Sequence, residues 1–125
     1  MINVGLSSMW AFFGHTLFAE QVAESIGWPA GNPFQTEVAV ANLAVGALGI
    51  LCYWIRYNFW TAAVIATAIW LLGAATIHLK EIVVAGNYNP GNGGLIFILD
   101  ILSPLLLIVL LIYTGLRKDQ PTVQA

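Results

Sequence analysis

Two histidines, His15 and His78, and six acids are the side chains of this 125-residue chain best suited to ligate a metal or carry a proton. Imidazoles beside carboxylates suit a divalent transition metal such as zinc, iron or manganese. They also suit a proton relay or the polar head of an amphiphile such as a quinone. Cys52 is the single cysteine, which excludes a disulfide scaffold and a cysteine-based metal cluster within one chain. Five of the six acids, Glu20, Glu24, Glu37, Glu81 and Asp100, fall with both histidines in or beside apolar stretches. An ionisable group at the centre of a bilayer costs about 2.5–3.5 kcal/mol on insertion scales, so each such residue demands an explanation.

The apolar setting follows from composition. Hydrophobic residues make up 59% of the chain and charged ones 8%, and mean hydropathy is +0.83. Soluble domains carry about 25% charged residues to keep their surface wet. Ten charged side chains cannot do that here, so a water-soluble domain is excluded, as is disorder. A net charge of −2 leaves no basic patch for nucleic acid. The expectation is an integral protein of the inner (plasma) membrane whose first partner is the lipid bilayer.

A helix needs roughly 20 apolar residues to cross the hydrocarbon layer. Four stretches qualify, about Val4–Ile26, Pro33–Trp54, Trp60–Val84 and Gly94–Gly115, with a polar tail over 116–125. They predict one all-α domain over residues 1–125, a transmembrane four-helix bundle running up-down-up-down. The first stretch lacks the basic start of a signal peptide and carries Glu20 and Glu24 where cleavage would fall, so it reads as a mature helix. Asn32 fits an N-cap, Pro33 the first helical position and Gln35 the acceptor of a capping box. Asn87–Gly94 breaks the chain before the fourth stretch, and Pro104 within it predicts a kink.

Both termini then share one side with Arg56, Arg117 and Lys118, against Lys80 alone on the other, which places the termini in the cytoplasm. At about 1.5 Å per residue, Glu37, His78 and Asp100 all fall in the half of the bundle away from the termini, with His15 nearer the middle. His15, Glu37, His78 and Asp100 are the preferred inward set, and Glu20 and Glu81 the second choice. Simpler roles compete: an intramembrane histidine also serves as interhelical glue. Glu24 and Glu81 fit the headgroup region beside Lys80, and Glu37 complements the N-terminus of its own helix. His78-x-x-Glu81 reverses the order of the ferritin-like metal motif and occurs once. Haem between His15 and His78 is disfavoured by their unequal depth.

His15, Ile26-Gly27-Trp28-Pro29, Pro33-Phe34-Gln35-Thr36-Glu37 and Ala41-Asn42-Leu43-Ala44-Val45-Gly46 resemble an uncharacterised family of small prokaryotic four-helix membrane proteins. So do Gly73-Ala74-Ala75 with His78, Gly86-Asn87-Tyr88 with Gly91-Asn92, and Asp100-Ile101 with Pro104. A Glu opening the second helix and a His near the end of the third also resemble DoxX-like proteins. That resemblance implies a four-helix bundle in a redox setting and assigns no catalytic residue. Three function classes follow: a metal, quinone or proton site; an accessory subunit that binds partner helices of a larger membrane (redox) complex; or a small dimeric transporter, with a homo-oligomer or partner subunits as the expected partners beside the bilayer.

Overall fold

The computed structural model describes residues 1–118 and is helical throughout them, with no strand among the described residues. Its elements are α1 (Ile2–Leu17), α2 (Ala19–Ile26), α3 (Pro33–Leu51), α4 (Asn58–Ala85), α5 (Pro90–Gly93) and α6 (Leu95–Lys118). Three stretches are long and apolar enough to cross a membrane: Pro33–Leu51, Asn58–Ala85 and Pro90–Gly115. Residues 119–125, most of the expected polar tail, lie outside the described residues.

The expected first span is not one helix. Phe18 leaves the helical region (φ −124°, ψ 37°) and divides it into 16-residue α1 and 8-residue α2, each too short to cross alone. Just before the break, the Thr16 hydroxyl donates to the carbonyls of Phe12 at 2.9 Å and Phe13 at 3.2 Å. Such back-bonding by a threonine bends helices. Beyond the break, the Gln35 amide donates to the Ala19 carbonyl at 2.6 Å. Gln35 is therefore buried against α2 and does not close the capping box that the sequence predicts. The remainder of that cap stands: Asn32 Oδ1 accepts from the Phe34 amide at 2.9 Å, with Pro33 at the first helical position.

Helix α1 packs along α3, and α4 packs along α6. The first pair meets through glycines. A Cβ on Gly5 would lie 2.9 Å from the Gly49 carbonyl carbon, and one on Gly46 would lie 2.7 Å from Met9 Sδ. With Ser8 and Asn42 also buried, this is the close backbone approach that small residues permit between membrane helices. The second pair is antiparallel: His78 of α4 faces Asp100 of α6, while Val64 and Leu107 line one cavity nearer the other end. Pro104 is fully buried along this seam.

The pairs join through α2 and α5 and also through α3 and α4, where the Trp60 indole donates to the Cys52 carbonyl. Gly27 (φ +87°) and Gly86 (φ +63°) end α2 and α4 in the left-handed conformation that glycine tolerates best. The Asn87 amide donates to the Ile26 carbonyl at 2.9 Å. Gly91 abuts Ser25 so closely that a Cβ there would sit 2.8 Å from the serine carbonyl oxygen. At the opposite end, Asn3, Cys52, Trp60 and Thr114 come from α1, the end of α3, α4 and α6 and surround a shared cavity.

Candidate functional site

His78 of α4 and Asp100 of α6, both buried, meet where α5 packs against the two helices. His78 is 7% exposed, Asp100 9% and Asn92 0%, in a chain whose α6 is otherwise almost wholly apolar. His78 Nδ1 lies 2.7 Å from Asn92 Oδ1. The Asn92 amide nitrogen donates to the Asn87 carbonyl at 2.8 Å and approaches the His78 carbonyl at 3.4 Å. Because the amide nitrogen is spent on carbonyls, its oxygen is the acceptor, and His78 Nδ1 carries a hydrogen.

The other ring nitrogen, Nε2, lies 3.7 Å from Asp100 Oδ2. With Nδ1 protonated, Nε2 is the ring nitrogen that faces the carboxylate. One proton shared by the pair gives an imidazolium beside a carboxylate or a neutral imidazole beside a carboxylic acid. Pro104 adds a further polar group. Lacking an N–H, it cannot bond the carbonyl four residues back, which is that of Asp100 itself.

The other sequence candidates lie elsewhere. His15 is half-buried on α1, its ring centroid 6.4 Å from that of Trp28, which meets Phe34 edge-on at 5.6 Å. His15 Nδ1 is buried without a hydrogen-bond partner. Glu37 is exposed on α3, Glu20 and Glu24 are exposed on α2, and Glu81 is half-buried on α4. Of the preferred four, the structure brings His78 and Asp100 together and leaves His15 and Glu37 apart from that pair. Among the described residues no three of the His, Cys, Asp and Glu side chains converge to hold a metal ion.

Sequence reasoning missed Asn92. It sits in Asn89-Pro90-Gly91-Asn92-Gly93, a run that reads as turn chemistry, and only the fold shows its side chain turned back onto α4. Thr67 was missed as well: it is fully buried in α4, and its hydroxyl has no partner.

No curated protein and no solved structure matches the chain. A family model does, over residues 1–120. The chain therefore belongs to DUF6790, a family of unknown function.

Proposed function

We propose that this protein is a small integral membrane protein that binds and exchanges a proton at the His78–Asp100 pair. The single observation carrying the reading is a buried imidazole fixed on one side by Asn92 and facing a buried carboxylate at 3.7 Å on the other. Intramembrane acid–histidine pairs mark proton relays because burial makes an isolated charge costly while a shared proton neutralises the site. A metal centre is the poorer reading, since a third ligand is missing among the described residues.

In this reading the bent α1–α2 segment crosses beside α3, giving four crossings in up-down-up-down order with both termini on the cytoplasmic side. The pairing of α1 along α3 supports it, as does the cavity shared by Asn3, Cys52, Trp60 and Thr114 at one end.

Proton binding is testable by titrating purified protein between about pH 5 and 8, the range where histidine changes charge. Nitrogen-15 spectra of the labelled imidazoles are recorded alongside proton uptake. The expected result is a titrating Nε2 at His78 whose midpoint moves in Asp100→Asn, with Nδ1 protonated throughout. A His78 signal that stays fixed over the range in both proteins rejects the reading.

A second role, as an accessory subunit, is favoured by Glu37. This carboxylate is exposed on a helix long and apolar enough to cross a membrane, on a side that also leaves Val40 and Ala44 uncovered. A basic or hydrogen-bonding partner helix would satisfy it. Crosslinking from position 37 in native membranes tests this, and labelling by lipid alone counts against it.

A further inference from the structure

Two charges of opposite sign stand on the outer surface of the helices with nothing in their own chain to meet them. Glu37 of α3 and Lys80 of α4 are both exposed, and neither has a hydrogen-bond or ion-pair partner among the described residues. Both belong to the α2 end of the molecule. Gln35, near the start of α3, reaches the Ala19 carbonyl of α2, and Asn87, just past α4, reaches the Ile26 carbonyl. Counted from the first residue of α3 and the last of α4, Glu37 and Lys80 each lie about 6–8 Å inside the helix end at 1.5 Å per residue. Apolar surface continues outward past both, with Phe34 exposed on α3 and Val83 and Val84 exposed at 74% and 76% on α4. The two charges therefore stand within the apolar surface rather than at its edge, where an unpaired charge is costly.

We propose that a second copy of this chain covers this surface, with Glu37 of one copy paired to Lys80 of the other. The inference rests on the partner-helix reading of Glu37 and names the partner. Charge selects it first: among the described residues Lys80 is the one lysine or arginine at this end, since Arg56 lies in the turn before α4 and Arg117 and Lys118 end α6. Register selects it second. Because α3 starts and α4 ends against α2, copies inserted the same way up set α3 of one antiparallel to α4 of its neighbour. Three residues inward from the charge pair Val40 then meets Ile77, and seven residues inward Ala44 meets Gly73. Steps of three and seven residues return to the same helix face. Val40, Ala44 and Ile77 are all exposed, and a Cβ on Gly73 would meet nothing within 4 Å. Alanine opposite glycine is the close approach that membrane helices use to associate, and it shields the charge pair above it from lipid. Each copy carries both halves of the pair, so identical chains complete the contact.

The test reads the register with both charges left in place. Two differently tagged copies of the full chain are co-expressed with Cys52→Ser, one carrying Ala44→Cys and the other Gly73→Cys, and native membranes are treated with a short bismaleimide. The expected product is a crosslinked dimer bearing both tags. Glu37→Lys in both copies, or Lys80→Glu in both, is expected to cut its yield about fivefold or more, because like charges then face each other. The two reversals together are expected to restore most of it. Absence of the 44–73 crosslink, a yield indifferent to the single reversals, or a double reversal that restores nothing overturns the proposal. Should a reversed chain fail to insert, Glu37→Gln and Lys80→Gln take its place. A double variant that loses no more than either single supports the pair, and losses that multiply overturn it. Crosslinking from position 37 separates this inference from the reading beneath it: a product with a different protein, without the 44–73 dimer, overturns self-association and leaves the partner-helix reading standing, whereas labelling of lipid alone ends both.

Discussion

Gly5 of α1 and Gly49 of α3 approach so closely that a Cβ on Gly49 would lie 2.6 Å from Gly5 Cα. The obstacle is backbone, which cannot rotate away as a flexible side chain can. Gly49→Ala is therefore expected to destabilise the protein by about 1–3 kcal/mol, the usual cost of overpacking a close contact. Gly73, with open space where its Cβ would stand, is the control. Gly73→Ala should be neutral or slightly stabilising in the same detergent-unfolding experiment, because alanine is the better helix former.

Asn92 satisfies one donor and one strong carbonyl acceptor at zero exposure. Asn92→Ala leaves His78 Nδ1–H buried without a partner, at about 1–3 kcal/mol, and takes a donor from the part-buried Asn87 carbonyl. The expected signature is wider than lost stability. Freed from Asn92, the imidazole redistributes its hydrogen between the two nitrogens, which nitrogen-15 spectra would register as a changed tautomer ratio. An unchanged ratio would show that Asn92 does not set it.

Thr67 gives a prediction of opposite sign. Its hydroxyl is fully buried and unpartnered, so removing it relieves a desolvation cost. Thr67→Val keeps the shape and is expected to raise the unfolding midpoint, by about 1 kcal/mol in free energy. A fall in stability would mean that a bound water or ligand meets the hydroxyl in the membrane.

The join between α2 and the α4–α5 turn rests on two different devices. Asn87→Ala removes the bond to the Ile26 carbonyl and should speed amide hydrogen exchange across α2 while leaving α3 unchanged. Gly27→Ala acts through the backbone, because Gly27 has φ +87° and its added Cβ would collide with the Asn89 side chain. It should loosen α2 further than Asn87→Ala does, and equal exchange rates in the two variants would contradict that ranking.

Much of this fold was legible in the sequence because its strongest signals are local. Asn32-Pro33 starts α3 where the capping pattern puts it, and Gly86 ends α4 within two residues of the expected boundary. The pairing of His78 with Asp100 was legible in part: depth placed both in one half of the bundle, and both proved to face inward. Depth says nothing of rotation about the helix axis, however, and Glu37, at comparable depth, is exposed. The break at Phe18 has no proline or glycine to announce it. It goes with the Thr16 back-bonding and with long-range contacts, Gln35 gripping Ala19 and Ser25 lodged on Gly91. Asn92 was hidden because an asparagine among glycines serves a turn equally well with its amide in solvent.

The orientation of the Asn92 amide also makes the proposed proton site one-ended. Its oxygen already receives the hydrogen of His78 Nδ1, and its nitrogen, turned to carbonyls, has no lone pair with which to take a proton. Unlike a hydroxyl, an amide in this position does not hand a proton onward, so the α5 side of the imidazole is a stopper. Any proton reaching His78 must arrive and leave through Nε2 and Asp100, from the side of the α4–α6 seam where Pro104 leaves the Asp100 carbonyl without its helical donor.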